Sequence, residues 1–344
     1  MVVEGREMIF VVGNSRSGTT MMGRILGRNK DVFTFGELHF YGMMYDPAKE
    51  KNAKLSFDDS VQLFSRLLCL QREGFFSECS SLESYYDEVN SVLDQTIEYR
   101  NEEIYEIFAL YETQKQHKTI PCEQTPKNLF FLEDILKLPL DARIINMVRD
   151  PRDVLNSQKN KWKRRFLGAK QIPIREAVRA WFNYHPITIA LVWKAAVNEY
   201  KKQARQRTER LMLVHFEELL LNPESELKRI CEFLSITYDL KMLDVPQVGS
   251  SDGNDSEEKG INKKRLNPWK HSKSLKKTEI YLCEKYCGKE MKAMGYELSN
   301  VRPNLLLLMI YYLSFPIKMG MALLLNVKRM KNMMATIKTY LAKD

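Results

Sequence analysis

The sequence predicts a three-layer α/β fold: a parallel sheet covered by helices on both faces, with a helical insertion and a helical C-terminal tail. Three observations predict it. An all-apolar run, Met8 to Val12, ends at Gly13 and leads through a glycine-containing turn into a helix-compatible stretch, as a strand buried on both faces does. Further apolar runs then alternate with helical stretches, the order that builds a doubly wound sheet. Residues 58 to 116 keep helical spacing throughout, with Gly74 as their only glycine.

In chain order, Met8 to Val12 is the first strand and Gly18 to Asn29 the first helix. Val32 to Phe35 is a second short strand that stops at Gly36. The insertion, about residues 56 to 116, carries apolar residues at Val61, Phe64, Leu67 and Leu68 and again at Ile104, Ile107 and Phe108. Thr119 to Cys122 is a third strand entering a loop at Pro121 and Pro126. Ala142 to Val148 is a strong strand, and Asp150-Pro151 after it supplies an N-cap and a first-turn proline. Pro173 to Arg207 reads as one long helix, Leu211 to Phe216 as a strand and Pro223 to Leu234 as a helix. Gly249 to Gly260, polar with three glycines, is a loop. The division expected is a main domain over 1–300 and an apolar, basic extension over 301–344.

A chain of 344 residues, 44% of them hydrophobic, can bury one large domain with an insert. The net charge of +9 favours an anionic partner. The six cysteines show no C-x-x-C pair and the five histidines no metal-ligand spacing, so reduced thiols and no structural metal are expected. The apolar run Met8 to Val12 is far too short for a secretory segment, which favours a cytoplasmic setting.

The chemistry begins at Gly13 to Thr20, GNSRSGTT, which follows a strand and opens a helix. It has the G-x-x-x-x-G-[KT]-[ST] layout of a P-loop, with Thr19 where a nucleotide hydrolase has lysine. Backbone N–H groups and the helix N-terminus still face an anion. The lysine that would reach a phosphoanhydride chain is missing, and Arg16 puts a cation elsewhere in the loop. The fold expected is therefore of P-loop type. Val11 to Thr20 resembles the loop by which sulfotransferases hold the 5′-phosphosulfate of 3′-phosphoadenosine 5′-phosphosulfate. Its arginine before Ser-Gly-Thr-Thr is similar to the tyrosylprotein and carbohydrate branches and their bacterial relatives. The resemblance implies that Arg16, Ser17, Gly18, Thr19 and Thr20 bind that co-substrate, with no metal.

A second segment, Asn146 to Ser157, ends a strand and enters a helix. It is similar to the family's 3′-phosphate motif, an arginine at the strand end and a serine eight residues on, here Arg149 and Ser157. Arg149 would project from the sheet's carboxyl edge, where open α/β folds bind ligands, and guanidinium suits phosphate. Lys161, one turn beyond Ser157, matches a basic position of the tyrosylprotein branch.

On the acceptor side, Gly36-Glu37 resembles the Gly-Glu of the same branch, which makes Glu37 the expected general base and His39 its rival. Relatives often carry a lysine that assists the leaving group. Gln124 stands in its place, and either Gln124 or the nearby Lys127 would supply the contact. Phe216 replaces a tyrosine of the family, and Lys263, Lys264 and Arg265 lie in a segment similar to the loop that closes over the nucleotide. The likeness spans about residues 8 to 297.

Beyond it, Pro303 to Ile317 carries no charge, is interrupted by Pro316 and is closed by Lys318. Met319 to Val327 is apolar again, followed by Lys328, Arg329 and Lys331. Such a tail suits a helix in a membrane interface, or a hairpin packed on the domain or on a second subunit as a homodimer. The expected function is sulfuryl transfer to a hydroxyl of a small molecule or lipid, a sterol-like alcohol before a carbohydrate. The alternatives are a nucleotide kinase or triphosphatase and a non-catalytic peripheral membrane protein. Nucleic-acid binding is not expected, because the cations follow phosphate loops.

Overall fold

The structure, a computed structural model, describes residues 7–50, 52–74, 81–138, 140–163, 173–206, 208–245, 260–261 and 263–326. Its strands are β1 (Glu7–Gly13), β2 (Val32–Thr34), β3 (Ile120–Glu123), β4 (Asp141–Val148) and β5 (Leu211–His215). They form one five-stranded sheet in the order β2-β3-β1-β4-β5, and every pairing is parallel. The expected P-loop-type α/β sheet is what the chain forms.

Around the sheet run α1 (Thr19–Leu26), α2 (Phe57–Glu73), α3 (Asn101–Lys115), α4 (Pro151–Lys159), α5 (Ile174–Phe182) and α6 (Pro186–Ala204). After β5 come α7 (Phe216–Leu221), α8 (Pro223–Phe233), α9 (Lys277–Ala293) and α10 (Leu305–Asn326). Successive strand residues point to opposite faces, and β1 feeds two cores in this way. Met8, Phe10 and Val12 pack with Phe64, Leu68 and Phe108 of α2 and α3. Ile9 and Val11 pack with Met22 and Ile25 of α1 and Ile230 of α8. The insertion is thus a helical layer on one face, and its base is tied by an antiparallel bridge between Lys54 and Arg100.

Three expectations need correction. The single helix expected over 173–207 is two, α5 and α6. Proline disfavours helical backbone in the residue before it, and His185 is extended (φ −151°, ψ 136°) ahead of Pro186. Its Nδ1 accepts from Ile187 N at 3.3 Å, so the break becomes the N-cap of α6. The tail is not interrupted at Pro316, because α10 runs through it. The thiols are not all reduced. Cys69, on α2, is disulfide-bonded to a partner outside the described residues, while Cys122, Cys231, Cys283 and Cys287 are free and buried. The loop expected at 249–260 lies almost wholly outside the described residues.

Candidate active site

Each strand delivers one candidate segment at its carboxyl end. Gly13 to Thr20 follows β1, Glu37 and His39 follow β2, Gln124 to Lys127 follow β3, Arg149 follows β4 and Phe216 follows β5. The pairing register brings Gly13 opposite Met147 and Val148 opposite His215, so these ends form one rim, the edge at which open α/β sheets take ligands.

The loop after β1 is shaped by backbone conformation. Gly13 sits against the neighbouring strand so closely that a Cβ would lie 2.4 Å from the Met147 carbonyl oxygen. Gly18 (φ 97°) caps α1, and a Cβ there would come within 2.4 Å of the Phe216 ring. Arg16 is also left-handed (φ 76°), a sparsely populated state for a residue with a side chain. Ser17 and Thr19 are buried and Thr20 is exposed at the start of the helix. The Ser17 hydroxyl is fully buried with no hydrogen-bond partner among the described residues.

The two phosphate-type motifs meet directly. Arg16 Nε donates to Ser157 Oγ at 2.8 Å, across 141 residues of sequence. Arg149 is held from several sides. Trp193 Nε1 donates to its carbonyl at 2.9 Å, and its guanidinium lies 4.4 Å from the centroid of the Phe216 ring. Its Nη2 donates to the Arg265 carbonyl at 3.1 Å and faces Asp153 at 3.7 Å, while its buried Nε has no partner among the described residues. Burial pushes the Asp153 carboxyl up to about 7 despite the Arg149 charge, and its Oδ1 accepts from Trp269 N at 2.8 Å. Phe216, lacking the family's hydroxyl, therefore acts as a plate between Gly18 and Arg149.

On the other side of β1, His39 Nε2 lies 3.2 Å from Glu37 Oε2. The Glu37 side chain is 40% exposed, and partial desolvation pushes its carboxyl up. The hydrogen bond and charge of His39, with the cations Lys161 and Lys127, outweigh burial and hold it below 4.5. Burial lowers the Lys161 ammonium to about 8, and the neighbouring charges of Arg16, Arg179 and Lys127 add to this while Glu37 opposes it. Lys161 and Lys127 thus act on the Glu37 carboxylate, and Arg16, Arg179 and Lys127 act on Lys161.

The turn carrying that pair is pinned from β3. Buried Glu123 accepts from Thr125 Oγ1 and Asn128 Nδ2, and Thr125 Oγ1 accepts from His39 N at 3.3 Å. The Leu38 backbone N–H also donates to Glu123, whose carboxyl burial raises to about 8. Gln124 is buried with its stem against Gly23 of α1, and its Oε1 is unpartnered among the described residues. Lys127 is exposed.

All the expected site residues are therefore on or beside the rim. Sequence reasoning did not single out Arg179 or Glu123, because each enters through space from an element without a motif. From the basic segment 263–265, the Arg265 carbonyl accepts from Arg149 Nη2.

A model of the sulfotransferase family matches residues 8–239. The chain is 25% identical over 283 residues to the "Putative protein-tyrosine sulfotransferase" of Caenorhabditis briggsae, covering 78% of this chain and 82% of that one. Its fold is similar to the sulfotransferase domain from the curacin biosynthetic pathway, with a TM-score of 0.53 at 15% identity, over 85% of this chain and 99% of that chain. It is also similar to the sulfotransferase domain of the Synechococcus PCC 7002 olefin synthase, with a TM-score of 0.50 at 19% identity, over 86% and 96% of the two chains. With the family match extending from the first strand through the last, this chain belongs to the sulfotransferase family.

Proposed function

We propose that the protein moves the sulfuryl group of 3′-phosphoadenosine 5′-phosphosulfate onto the hydroxyl of a lipophilic alcohol. The observation that carries the donor side is the Arg16–Ser157 contact, which joins the two phosphate-type motifs at one rim. Backbone N–H groups of residues 16 to 20 hold the 5′-phosphosulfate, assisted by the Arg16 guanidinium. Arg149, Ser157 and Lys161 hold the 3′-phosphate.

Glu37, ionised and hydrogen-bonded by His39, takes the acceptor's proton as its oxygen attacks sulfur. The sulfur–oxygen bond to the 5′-phosphate breaks, and the electron pair stays on that phosphate oxygen. Lys127 and the P-loop amides stabilise the charge that develops there. His39 is the second reading for the base, because the 3.2 Å pair would let Glu37 orient an imidazole instead. The lipophilic acceptor is favoured by the exposed apolar tail, which offers a contact with a membrane surface.

Adenosine 3′,5′-bisphosphate should raise the melting temperature without added metal, and Arg16→Ala and Arg149→Ala should each remove most of that shift. An undiminished shift in both variants overturns the donor site. A transfer assay with labelled donor against sterols, lipid alcohols, sugars and a tyrosyl peptide then names the acceptor. The peptide is included because of the Caenorhabditis briggsae relative.

A further inference from the structure

α10 is 22 residues long and none of them is buried. At 1.5 Å per residue it measures ~33 Å, enough to cross a bilayer by length alone. Its contacts rule that out as its arrangement here, since one side is tied to the domain from end to end. Asn304 N donates to Thr278 Oγ1 at 3.0 Å, and Lys285 Nζ donates to Tyr312 Oη at 2.8 Å. The Tyr311 carbonyl meets His185 Nε2 at 3.1 Å, and Lys318 Nζ donates to the Tyr184 carbonyl at 3.1 Å. Asn326 Nδ2 donates to Asn183 Oδ1 at 2.9 Å and its Oδ1 accepts from Arg179 Nη1 at 2.7 Å.

The opposite side is apolar and open. Leu306, Ile310, Leu313, Ile317 and Leu324 follow one another at helical spacing and are 50 to 70% exposed. α5 adds a stripe of its own from Ile174, Val178 and Trp181, all exposed, and Lys318 Nζ sits 4.3 Å from the centroid of the Trp181 ring. Charge identifies the occupant. From Leu298 to Lys343 the sequence has seven lysines and arginines and no carboxylate side chain. A long apolar helix lying on a domain, with tryptophan and tyrosine beside it and cations alone in its sequence, suits the headgroup region of an anionic bilayer.

We infer that α5 and α10 together form a docking face for an anionic lipid surface. Arg179 of α5 binds Asn326, and its charge also acts on Lys161. Docking would set the rim's acceptor side against the bilayer, so that the acceptor is a membrane-resident alcohol. That last step rests on the function proposed above, whereas the docking does not.

The test uses the full chain, sedimented with phosphatidylcholine vesicles with and without phosphatidylserine. Binding is expected to the anionic vesicles, to weaken with salt, and to fall ~10-fold or more in Leu313→Ser/Ile317→Ser, which withdraws two apolar side chains from lipid. Trp181→Ser should weaken it through α5. These positions are exposed, so an unchanged melting temperature and an unchanged shift with adenosine 3′,5′-bisphosphate show that variants are folded and keep the donor site. No binding to anionic vesicles, or equal binding by the variants, overturns the proposal. So does a dimer of the parent chain that the double variant dissociates while vesicles bind neither protein. Loss of transfer to every alcohol with docking intact would sink the function instead.

Discussion

Glu37 is asked to take a proton while cations hold its own carboxyl below 4.5. It is then ionised throughout the neutral range, at the cost of intrinsic basicity, and the charge on the leaving phosphate must be correspondingly well stabilised. As far as Glu37 sets it, the acid limb of kcat/KM should lie below the ordinary carboxylate range, and Glu37→Gln should lose ~100-fold or more in turnover while keeping bisphosphate affinity. Turnover that survives Glu37→Gln and collapses in His39→Ala would make His39 the base. Lys161 gives a second pH dependence of opposite sign. Its ammonium is lowered to about 8, and a bound phosphate favours the charged form. Bisphosphate affinity should be full below pH about 8 and decline above it, and calorimetry on Lys161→Met should show that decline gone. Arg16, Arg149 and Glu37 were legible because each lies in a local pattern with a mechanical reason. Arg179 and Glu123 were not, since a cation on a plain helix and a buried strand carboxylate acquire meaning only when other strands arrive beside them.

Among the elements, the loop after β1 depends on a partner far along the chain. Gly18 is left-handed and its missing Cβ makes room for the Phe216 ring, over which Arg149 lies. Gly18→Ala should destabilise by ~1–3 kcal/mol from overpacking, read as a lower melting temperature, with the bisphosphate shift weakened as well. Gly18→Ala/Phe216→Leu should recover only the part of the melting temperature lost to the clash, since the left-handed backbone still opposes a side chain, and should not recover that shift, because Arg149 has lost its plate. Equal losses in single and double variants would show that the clash is not the cause. The strands were readable from apolar runs, and the starts of α4 and α8 from Asp150-Pro151 and Pro223. The break between α5 and α6 was marked by Pro186 inside an otherwise periodic stretch, where periodicity outweighed the proline. That break lets α5 leave the line of α6 and carry Trp181 to the surface.

For the whole molecule, one disulfide among six cysteines should leave four reactive thiols in the denatured, unreduced protein, and six after reduction. Six without reductant would return the chain to the reduced state expected from the sequence. The bond escaped that reading because no cysteine of the chain stands in a C-x-x-C pair, the local signal the sequence was read for. The sheet order has a further consequence. Strand order β2-β3-β1-β4-β5 puts the proposed base and its support on one flank of β1 and the proposed 3′-phosphate contact Arg149 on the other, while the insertion hangs wholly between β2 and β3. On the function proposed above, the donor-binding loops lie outside residues 56 to 116, so that segment can be exchanged for that of a relative without altering them. A graft of that segment should therefore transplant a taste for a new alcohol and leave the appetite for the donor as it was.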